Sequence, residues 1–207
     1  MNACDIPALM NSQGVSFQAV TCVDWPDAYP LCPNMAFRIA RTDDELLLHY
    51  RVTEPAVRAM CDTDGGPVWT DSCAECFLLA ADGKTYYNIE CSCVGTLLIG
   101  CGEGRSNRIP TTPERLATAS RWATLGRQAF GQHEEMTSWE LALAIPFDLI
   151  AGVDVTKPVL ANIYKCGDGL PEPHFISCAP INTPAPDFHQ LDFFQFLSIP
   201  HIATNRL

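Results

Sequence analysis

The sequence predicts an all-β protein, a β-sandwich of jelly-roll-like topology with little helix. Sixteen prolines and thirteen glycines are spread along the 207 residues, which indicates many turns and short elements. About nine short segments have the apolar or alternating patterns of strands. Neither an internal repeat nor a linker divides the chain, so we expect a single domain over residues 1–207 with one well-filled core.

Five strands are predicted in the first half of the chain. They are apolar, β-prone runs bounded by turn residues, and ELLLHYRVT after the Asp43-Asp44 turn is the clearest of them. Asp82-Gly83 is a strong hairpin signal between CAECFLLA and TYYNIEC, and Gly95 is expected to form a bulge in the strand that continues this ribbon. The predicted strands are 15–23, 45–53, 73–80, 85–91 and 92–99.

Four further strands and two helical stretches are predicted in the second half. Thr112 is expected to cap a short helix in 110–125, with Pro113 at its first position, and 146–151 is expected to make one helical turn. The segment 167–190 is a proline-rich loop, interrupted by one strand, of the kind that carries function. The predicted strands are 138–145, 158–166, 174–178 and 193–199.

The charge of the chain excludes one large class of partners. Twenty-four acidic residues against thirteen basic ones give a net charge of −11. Such a chain repels phosphate backbones, so no nucleic-acid partner is expected. The most basic stretch, Arg105 to Arg127, follows Glu103 and contains Glu114, and we interpret it as a solvated surface segment.

Two observations bear on the compartment. No apolar run approaches the ~20 residues needed to span a bilayer, so no membrane span is expected. The N-terminal sequence MNACDIPALMNSQGV lacks the basic start and the apolar stretch of a secretion signal. We therefore expect a cytoplasmic protein as the sequence stands, and a periplasmic or cell-surface one if a signal peptide has been removed.

Eleven cysteines, an odd number, are scattered along the sequence rather than grouped as in a disulfide-stapled miniprotein. Many of them fall within apolar strand patterns, where a free cysteine acts as a small hydrophobe. We therefore expect reduced, buried thiols in a reducing compartment.

The sequence contains no complete metal-ligand set. Cys73 and Cys76 resemble half of a zinc or redox motif, but residues i and i+3 of a strand point to opposite faces of the sheet. Asp62, Asp64 and Asp71 offer oxygen ligands, although this segment is too short for an EF-hand loop. No cofactor is established by these patterns, a structural zinc is a minor alternative, and calcium stays open.

Three carboxylates are candidates for chemistry. Asp71, Glu75 and Glu90 lie close enough in the predicted ribbon to be paired, and glycosidases use paired carboxylates, although structural hydrogen bonding is the commoner role. Glu75 ends a strand face that is otherwise apolar, and Lys165 does the same on its own strand. We expect these two residues to be partners, either structurally or in a polar slot.

One strand face combines the side chains that a sugar site needs. Tyr86, Asn88 and Glu90 share a face of 85–91, which is either solvated surface or the floor of a groove. Sugar sites combine an aromatic face with amides and charged groups that bind hydroxyls. Trp69, on the loop before the Glu75 strand, is a candidate for that aromatic face, with a core tryptophan as the alternative.

Five motifs in order resemble those of the family nine carbohydrate-binding-module-like proteins common in gut Bacteroidales. VWTDSCAECFL is similar to the family's VW-x-DS-x-x-E-x-F segment, and YYNIECSCVGT to Y-x-N-x-E-x-N-x-x-G-T. WELALAIP and ANIYKCGDG resemble the next two motifs, and HFISCAPINTPAPDFHQLDFFQFLSI resembles the closing one. The similarity runs from about Trp25 to Ile199.

This resemblance implies a β-sandwich that holds a sugar between aromatic side chains, with polar residues around it and calcium in some members. Carried over by motif position, the ligand-binding residues are Trp69, Asp71, Glu75, Asn88, Glu90, Asn162, Lys165, Asp168, His174 and His189. No catalytic residue is implied, and the expected partner is a mono- or oligosaccharide.

The chain departs from the family pattern at four positions. Cys178 stands where the family has tryptophan, and Ser92 replaces an asparagine. Gln190 and Phe194 replace a proline and a glycine near the end. If position 178 supplies a stacking aromatic in the family, half of the sugar clamp is missing here, with Phe175 or Phe188 as substitutes.

The leading hypothesis is a non-catalytic carbohydrate-binding protein that stacks a sugar on Trp69. One alternative is a small glycoside-active enzyme that uses Glu75 or Glu90 as acid or base, assisted by His174 or His189. Another is a sandwich that serves as an interaction protein and has lost sugar binding. A cysteine-based metal sensor is the last alternative.

Overall fold

The computed structural model describes residues 1–204, and it confirms the all-β prediction. Within the described residues, fifteen strands form antiparallel sheets, and helix is limited to short segments. Within residues 1–204, no helix has the length and apolar character needed to cross a membrane.

The smaller of the two main sheets has five strands in the order β1-β3-β4-β12-β10. Its centre is the pairing of β4 with β12, which runs over ten residue pairs from Glu45 opposite Pro146 to Glu54 opposite Thr137. The strands are β1 (Gln18–Val20), β3 (Asn34–Arg41), β4 (Glu45–Glu54), β10 (Ser120–Ala123) and β12 (Thr137–Pro146).

The larger sheet has eight strands in the order β2-β14-β13-β6-β7-β8-β9, with β15 pairing one end of β13. Its central strands carry most of the polar residues singled out from the sequence. The strands are β2 (Cys22–Val23), β6 (Cys73–Leu79), β7 (Tyr86–Ser92), β8 (Leu97–Gly102), β9 (Ile109–Pro110), β13 (Val159–Cys166), β14 (Phe175–Ser177) and β15 (Gln195–Leu197).

Short elements complete the fold. Strands β5 (Val57–Ala59) and β11 (Phe130–His133) form a separate two-stranded ribbon. The two α-helices are α1 (Ile6–Ser12) and α2 (Pro113–Leu116). Four 3-10 helices lie at Ala3–Asp5, Val68–Thr70, Phe147–Ile150 and Leu191–Phe193.

The main core lies between the two large sheets. Alternate residues of β4, among them Leu46, Leu48 and Tyr50, are fully buried there together with Cys76 and Leu78 of β6. Because side chains alternate along a strand, the other residues of β6 point to the opposite face of the larger sheet. That outer face therefore has to be covered by something else.

Both outer faces are covered by chain ends and loops. Helix α1 places Ile6 and Met10 on the outer face of the five-stranded sheet, against Leu47. On the larger sheet, Phe77 and Tyr164 pack with residues of the segment 181–194. The covering of the larger sheet is incomplete, and this leaves a cleft.

Most predicted strands are confirmed, whereas the prediction for 92–99 is wrong. Ser92 ends β7, and a tight turn follows in which Gly95 has φ +82°, so the chain reverses into β8 at Leu97. Only glycine adopts this left-handed conformation readily, which explains the residue at this turn. Gly95 is a hairpin turn residue and not a bulge.

Two further predictions need correction. The short helix expected in 110–125 is confirmed as Pro113–Leu116 with Pro113 at its first position, but the side chain of Thr112 makes no capping hydrogen bond. Residues 120–123 lie outside the helix and join the five-stranded sheet as β10. The predicted strand 15–23 is two short strands that belong to different sheets. The helical turn expected at 146–151 is confirmed as a 3-10 helix.

Candidate functional site

A cleft of about 410 Å³ opens on the outer face of the larger sheet. Strands β6, β7 and β8 form its floor, and the end of β13 with the residues that follow forms one wall. The loops around Arg105 and Asp187 close the other sides. Six of the sequence-predicted site residues line the cleft, namely Trp69, Glu75, Asn88, Glu90, Asp168 and His189.

Glu75 and Glu90 lie side by side on the floor of the cleft. They are directly opposite each other in the β6–β7 pair, and each side chain is at most 4% exposed. Burial raises the pKa of Glu90 to about 7. Burial, followed by repulsion from Glu90, raises the pKa of Glu75 well above its ordinary value. Two neighbouring buried carboxyl groups therefore share fewer than two negative charges near neutral pH.

The carboxyl groups are held in place by neighbours of different kinds. The amide of Asn88 donates to Glu90 at 2.7 Å. The thiol of Cys166 donates to an oxygen of Glu75 at 3.0 Å. Each glutamate thus has one defined hydrogen bond within the sheet, while both side chains line the cleft.

Arg108 orients the Asn88 side chain on the floor of the cleft. Its guanidinium lies 4.1 Å from the centre of the Tyr86 ring and donates to Asn88 Oδ1 at 2.8 Å. It also donates to the backbone oxygens of Gly104, Tyr86 and Gly100. A side chain at position 100 would place its Cβ 2.7 Å from Asn88 Oδ1, so glycine is required for this arrangement. Arg108 therefore fixes the orientation of Asn88.

Trp69 stands at the mouth of the cleft, in the 3-10 helix Val68–Thr70, with 40% of its surface exposed. Its turn is docked onto the loop after β13, because Trp69 O accepts from Asp168 N at 3.1 Å and Thr70 O accepts from Gly169 N at 3.0 Å. The core-tryptophan alternative is therefore wrong. An exposed indole on an anchored turn is a fixed aromatic surface.

Asp71 supports the same turn from within. Its carboxylate accepts from Arg58 Nε at 3.1 Å and from the backbone nitrogen of Cys61 at 2.8 Å. The side chain is fully buried and does not line the cleft. Arg58 in turn donates to Gly169 O at 3.0 Å, which ties the Trp69 turn to the loop after β13.

One wall of the cleft is aromatic. Phe188 lines the cleft and stacks on Tyr164, with ring centres 4.2 Å apart and an angle of 8° between the rings. Phe175 packs edge-on against Phe188 and also lines the cleft. The indole Nε1 of Trp25 donates to Thr183 O at 2.7 Å and thereby helps to hold the covering segment.

His189 completes this wall as a neutral imidazole. Its Nδ1 lies 2.8 Å from the Tyr86 hydroxyl, and its ring packs against Phe77. Burial, together with the charge of Arg108, lowers the pKa of His189 to about 4. Asp187 orders the loop, since one of its oxygens accepts from His189 N at 2.9 Å.

Lys165 and His174 lie elsewhere. The register of β13 places Lys165 opposite Ala74 and Tyr164 opposite Glu75, so Lys165 points between the sheets while Glu75 points into the cleft. The predicted partnership of Lys165 with Glu75 is therefore wrong. The lysine instead forms a fully buried ion pair with Glu54 at the end of β4, with Nζ 2.9 Å from Oε2.

His174 belongs to the same buried cluster. Lys165 Nζ lies 2.8 Å from His174 Nε2, and because an ammonium group only donates, Nε2 is the accepting nitrogen of a neutral ring. Burial, followed by repulsion from Lys165, lowers the pKa of His174 to about 2. Trp139 Nε1 donates to the other oxygen of Glu54 at 2.7 Å. The cluster joins the two sheets at one end of the sandwich.

Asn162 serves the covering segment rather than the cleft. Its Nδ2 donates to Ala179 O at 2.8 Å, and its Oδ1 accepts from the backbone nitrogen of the same residue at 3.0 Å. A weaker bond reaches Phe193 O at 3.4 Å. The Asn162 amide therefore takes the place of strand pairing at Ala179, and it holds the chain on the sheet just before the covering segment 181–194.

The four family departures do not all affect the cleft. Cys178 packs at the edge of the core between the sheets and does not line the cleft, so its small size removes no aromatic wall here. The hydroxyl of Ser92 accepts from Thr96 N at 3.2 Å within the turn. Gln190 bonds Asp187 at 2.7 Å, and Phe194 packs edge-on against Tyr86.

Sequence reasoning missed the arginines of the cleft. Both Arg105 and Arg108 line the cleft. Arg105 is solvent-exposed, as expected for this segment, whereas Arg108 is enclosed by backbone carbonyls. Arg108 lies between strand β8 and the short strand β9, in which Ile109 pairs with Cys101.

Potential metal ligands fall into two groups. Asp64 is paired with Arg121 at 2.7 Å, and Asp71 with Arg58, so these acids have cationic partners of their own. The other group is Cys73, Glu75 and Cys166, whose ligand atoms all lie within 4.8 Å of one another. All eleven cysteines are free thiols, as the sequence predicts, and five of them are buried.

Comparisons with known proteins show the family of this chain. Carbohydrate-binding family 9 matches the chain over residues 4–199. A crystal structure from Bacteroides uniformis, provisionally described as a carbohydrate-binding protein, is 39% identical with a TM-score of 0.90, covering 96% of this chain and 93% of that one. No curated protein matches the chain.

Two more distant structures show the same fold. Both are family 9 carbohydrate-binding modules from Caldicellulosiruptor kristjanssonii that are 10% identical to this chain. The complex with cellotriose has a TM-score of 0.56 and covers 94% of this chain and 87% of that one. The complex with glucose has a TM-score of 0.52 and covers 93% and 88%.

Proposed function

Because this chain belongs to carbohydrate-binding family 9, whose members bind sugars without catalysis, we propose that its cleft holds a saccharide against Trp69. The single observation that carries the proposal is the exposed indole at the mouth of a cleft whose floor is polar and buried. Sugars have this double character, with apolar C–H faces and polar hydroxyl edges.

Each lining residue has a role that follows from its chemistry. Trp69 stacks on one face of the sugar ring, and Phe188 and Phe175 supply further aromatic surface in the cleft. Glu75, Asn88 and Glu90 bind hydroxyl groups on the floor. A carboxyl group that is protonated near neutral pH both donates and accepts, so the paired glutamates suit hydroxyl groups in either role.

Asp168 and His189 complete the binding surface at its rim and far wall. The remaining four residues implied by the family motifs act indirectly. Asp71 anchors the Trp69 turn, Asn162 anchors the covering segment, and Lys165 with His174 closes the end of the sandwich. We assign to these four a positioning role rather than contact with the sugar.

The relatives indicate the ligands to try first. The two structures from Caldicellulosiruptor kristjanssonii are of a family 9 module in complex with cellotriose and with glucose. Isothermal titration of this protein with glucose, cello-oligosaccharides and a panel of other mono- and oligosaccharides, in a chelating buffer, tests the proposal. We expect saturable binding to at least one class, weakened at least about tenfold in Trp69→Ala, a loss of ~1.4 kcal/mol.

The matched control is Phe196→Ala. Phe196 is an exposed aromatic residue of β15 that does not line the cleft, so its removal is expected to leave the affinity unchanged. Equal binding by wild type and Trp69→Ala would contradict the proposed stacking. A folded protein that binds no saccharide of the panel would favour the interaction-protein alternative. Release of shorter oligosaccharides from the added ones would favour the glycoside-active enzyme.

A further inference from the structure

We propose that Cys73, Glu75 and Cys166 form a binding site for a thiophilic divalent cation, best represented by Zn²⁺, in the floor of the cleft. This inference goes beyond saccharide binding and does not depend on it. It rests on the convergence of three ligand-type side chains from two neighbouring strands.

The strand register brings the three side chains together. Cys73 and Cys166 are direct partners in the antiparallel pair of β6 with β13. Glu75 follows Cys73 on the same face of β6, so it is the diagonal neighbour of Cys166. The Cys166 thiol already contacts the Glu75 carboxyl at 3.0 Å, and all three ligand atoms lie within 4.8 Å of one another.

These separations suit a tetrahedral ion. With Zn–S distances of about 2.3 Å and Zn–O distances of about 2.0 Å, neighbouring ligand atoms are roughly 3.5–3.8 Å apart. The cluster therefore needs side-chain movements of about 1 Å or less, which rotation about the Cα–Cβ bonds supplies without displacing the strands. No backbone change is required.

The chemistry of the set selects the ion. Two thiolates and one carboxylate favour Zn²⁺ and similar cations over Ca²⁺ or Mg²⁺, which take oxygen ligands. The strongest contact of the Cys166 thiol is with Glu75, itself one of the three ligands, and its other contact is a longer one to Trp69 O at 3.5 Å. The Cys73 thiol makes a long contact of 3.9 Å with the oxygen of Ala74. Glu90, directly opposite Glu75, adds a carboxyl group that further favours a bound cation.

The site is accessible from one side. Glu75 and Cys166 line the cleft, whereas Cys73 lies behind them and is fully buried. An ion held by the three side chains has its fourth position directed to the cleft, where water or a hydroxyl group of a bound molecule completes the tetrahedron. Thiols must lose their protons on binding, so metal uptake releases protons.

The test is titration of the full-length protein with Co²⁺ and then Zn²⁺, after treatment with a chelator and a non-chelating reductant. Thiolate-bound tetrahedral Co²⁺ gives intense visible and near-ultraviolet absorption, which Zn²⁺ abolishes by displacement. We expect one equivalent to bind and the affinity to fall at least 100-fold in Cys166→Ser and in Cys73→Ser. Glu75→Gln, which keeps the side-chain volume, is expected to weaken binding at least about tenfold.

The matched control is the double variant Cys4→Ser/Cys32→Ser, which removes the two exposed thiols. It is expected to retain the absorption bands and the stoichiometry. Absence of saturable Co²⁺ and Zn²⁺ binding in the wild type would overturn the proposal, as would binding that survives in Cys166→Ser but is lost in the double variant. Because no saccharide is present, this result is independent of the saccharide titrations, which are made in chelator.

Discussion

Glu75 and Glu90 face each other across two paired strands, and both carboxyl groups are almost completely buried in the floor of the cleft. Their pKa values are raised first of all by burial. A pair of this kind weakens the fold, because like charges directly opposite each other on a sheet repel. Their presence is explained if the cleft uses them to bind polar groups of a ligand.

Replacing Glu90 by glutamine is therefore expected to make the fold more stable and saccharide binding weaker. The raised pKa means that folding favours the protonated form, so stability is lost as the pH rises from about 4.5 through about 7. At pH 8, Glu90→Gln is expected to raise the free energy of unfolding by about 1–3 kcal/mol. Its saccharide affinity at this pH is expected to fall about tenfold or more, because the Glu90 carboxylate accepts charge-assisted hydrogen bonds that are stronger than those of a neutral amide.

Urea unfolding and isothermal titration of the same samples, both in chelator, measure these two effects. Glu103→Gln is a suitable control, because Glu103 is an exposed acid that does not line the cleft. A Glu90→Gln variant that is both less stable and fully active in binding would show that the pair is structural.

Arg108 is expected to act through geometry rather than through charge alone. Its guanidinium stacks on Tyr86 and donates to Asn88 and to three backbone oxygens, an arrangement that the lysine ammonium does not reproduce. Arg108→Lys is therefore expected to weaken saccharide binding nearly as much as Arg108→Ala. Hydrogen exchange in β8 and β9 is expected to be faster in both variants. Full affinity in Arg108→Lys would contradict this account.

Lys165 is expected to matter for folding and not for sugar contact. It forms a fully buried ion pair with Glu54, and removing one member leaves an unpaired buried charge. Lys165→Met is expected to destabilise the protein by about 3–5 kcal/mol. Where the variant is still folded, at low temperature, its saccharide affinity is expected to match that of the wild type. A selective loss of affinity without loss of stability would place Lys165 in the binding surface.

His174 gives the fold a defined response to acid. Its pKa is lowered to about 2 by burial and by Lys165, whereas in the unfolded chain it is about 6.5. Below pH 6.5 this histidine is protonated in the unfolded chain but stays neutral in the folded protein. This residue alone therefore lowers the free energy of unfolding by about 1.4 kcal/mol for each pH unit below 6.5. His174→Gln is expected to reduce that slope between pH 6 and pH 5, measured by urea unfolding. An unchanged slope would contradict the neutral buried ring.

Strand composition was sufficient to predict much of the fold. The alternation in 73–80 and 85–91 and the Asp82-Gly83 turn predict β6, β7 and the hairpin between them, and the structure has all three. Local patterns do not reveal how distant segments pair, so the split of 15–23 between two sheets was not predictable. The turn at Gly95 was missed because a glycine in an apolar run fits a bulge and a turn equally well.

Only part of the site was predicted, again because local patterns do not reveal how distant segments pair. Strand parity predicts that Glu75 shares a strand face with Phe77, and both residues line the cleft. Parity alone does not tell which face of β13 meets which face of β6, so Lys165 was paired with the wrong carboxylate. Arg108 belongs to a loop whose path depends on tertiary contacts, and the sequence pattern contains no signal for the carbonyl groups that surround it.

The most direct test of the account is an NMR titration of the ¹⁵N-labelled protein that follows the indole N–H signals of its four tryptophans. The Trp69 signal is identified by its loss in Trp69→Ala, and Trp139, buried between the sheets, is an internal reference. The account predicts that the saccharide which binds in calorimetry shifts the Trp69 signal saturably while the Trp139 signal stays in place. A bound saccharide that leaves the Trp69 signal unmoved would contradict the central claim that the cleft beside Trp69 is the binding site.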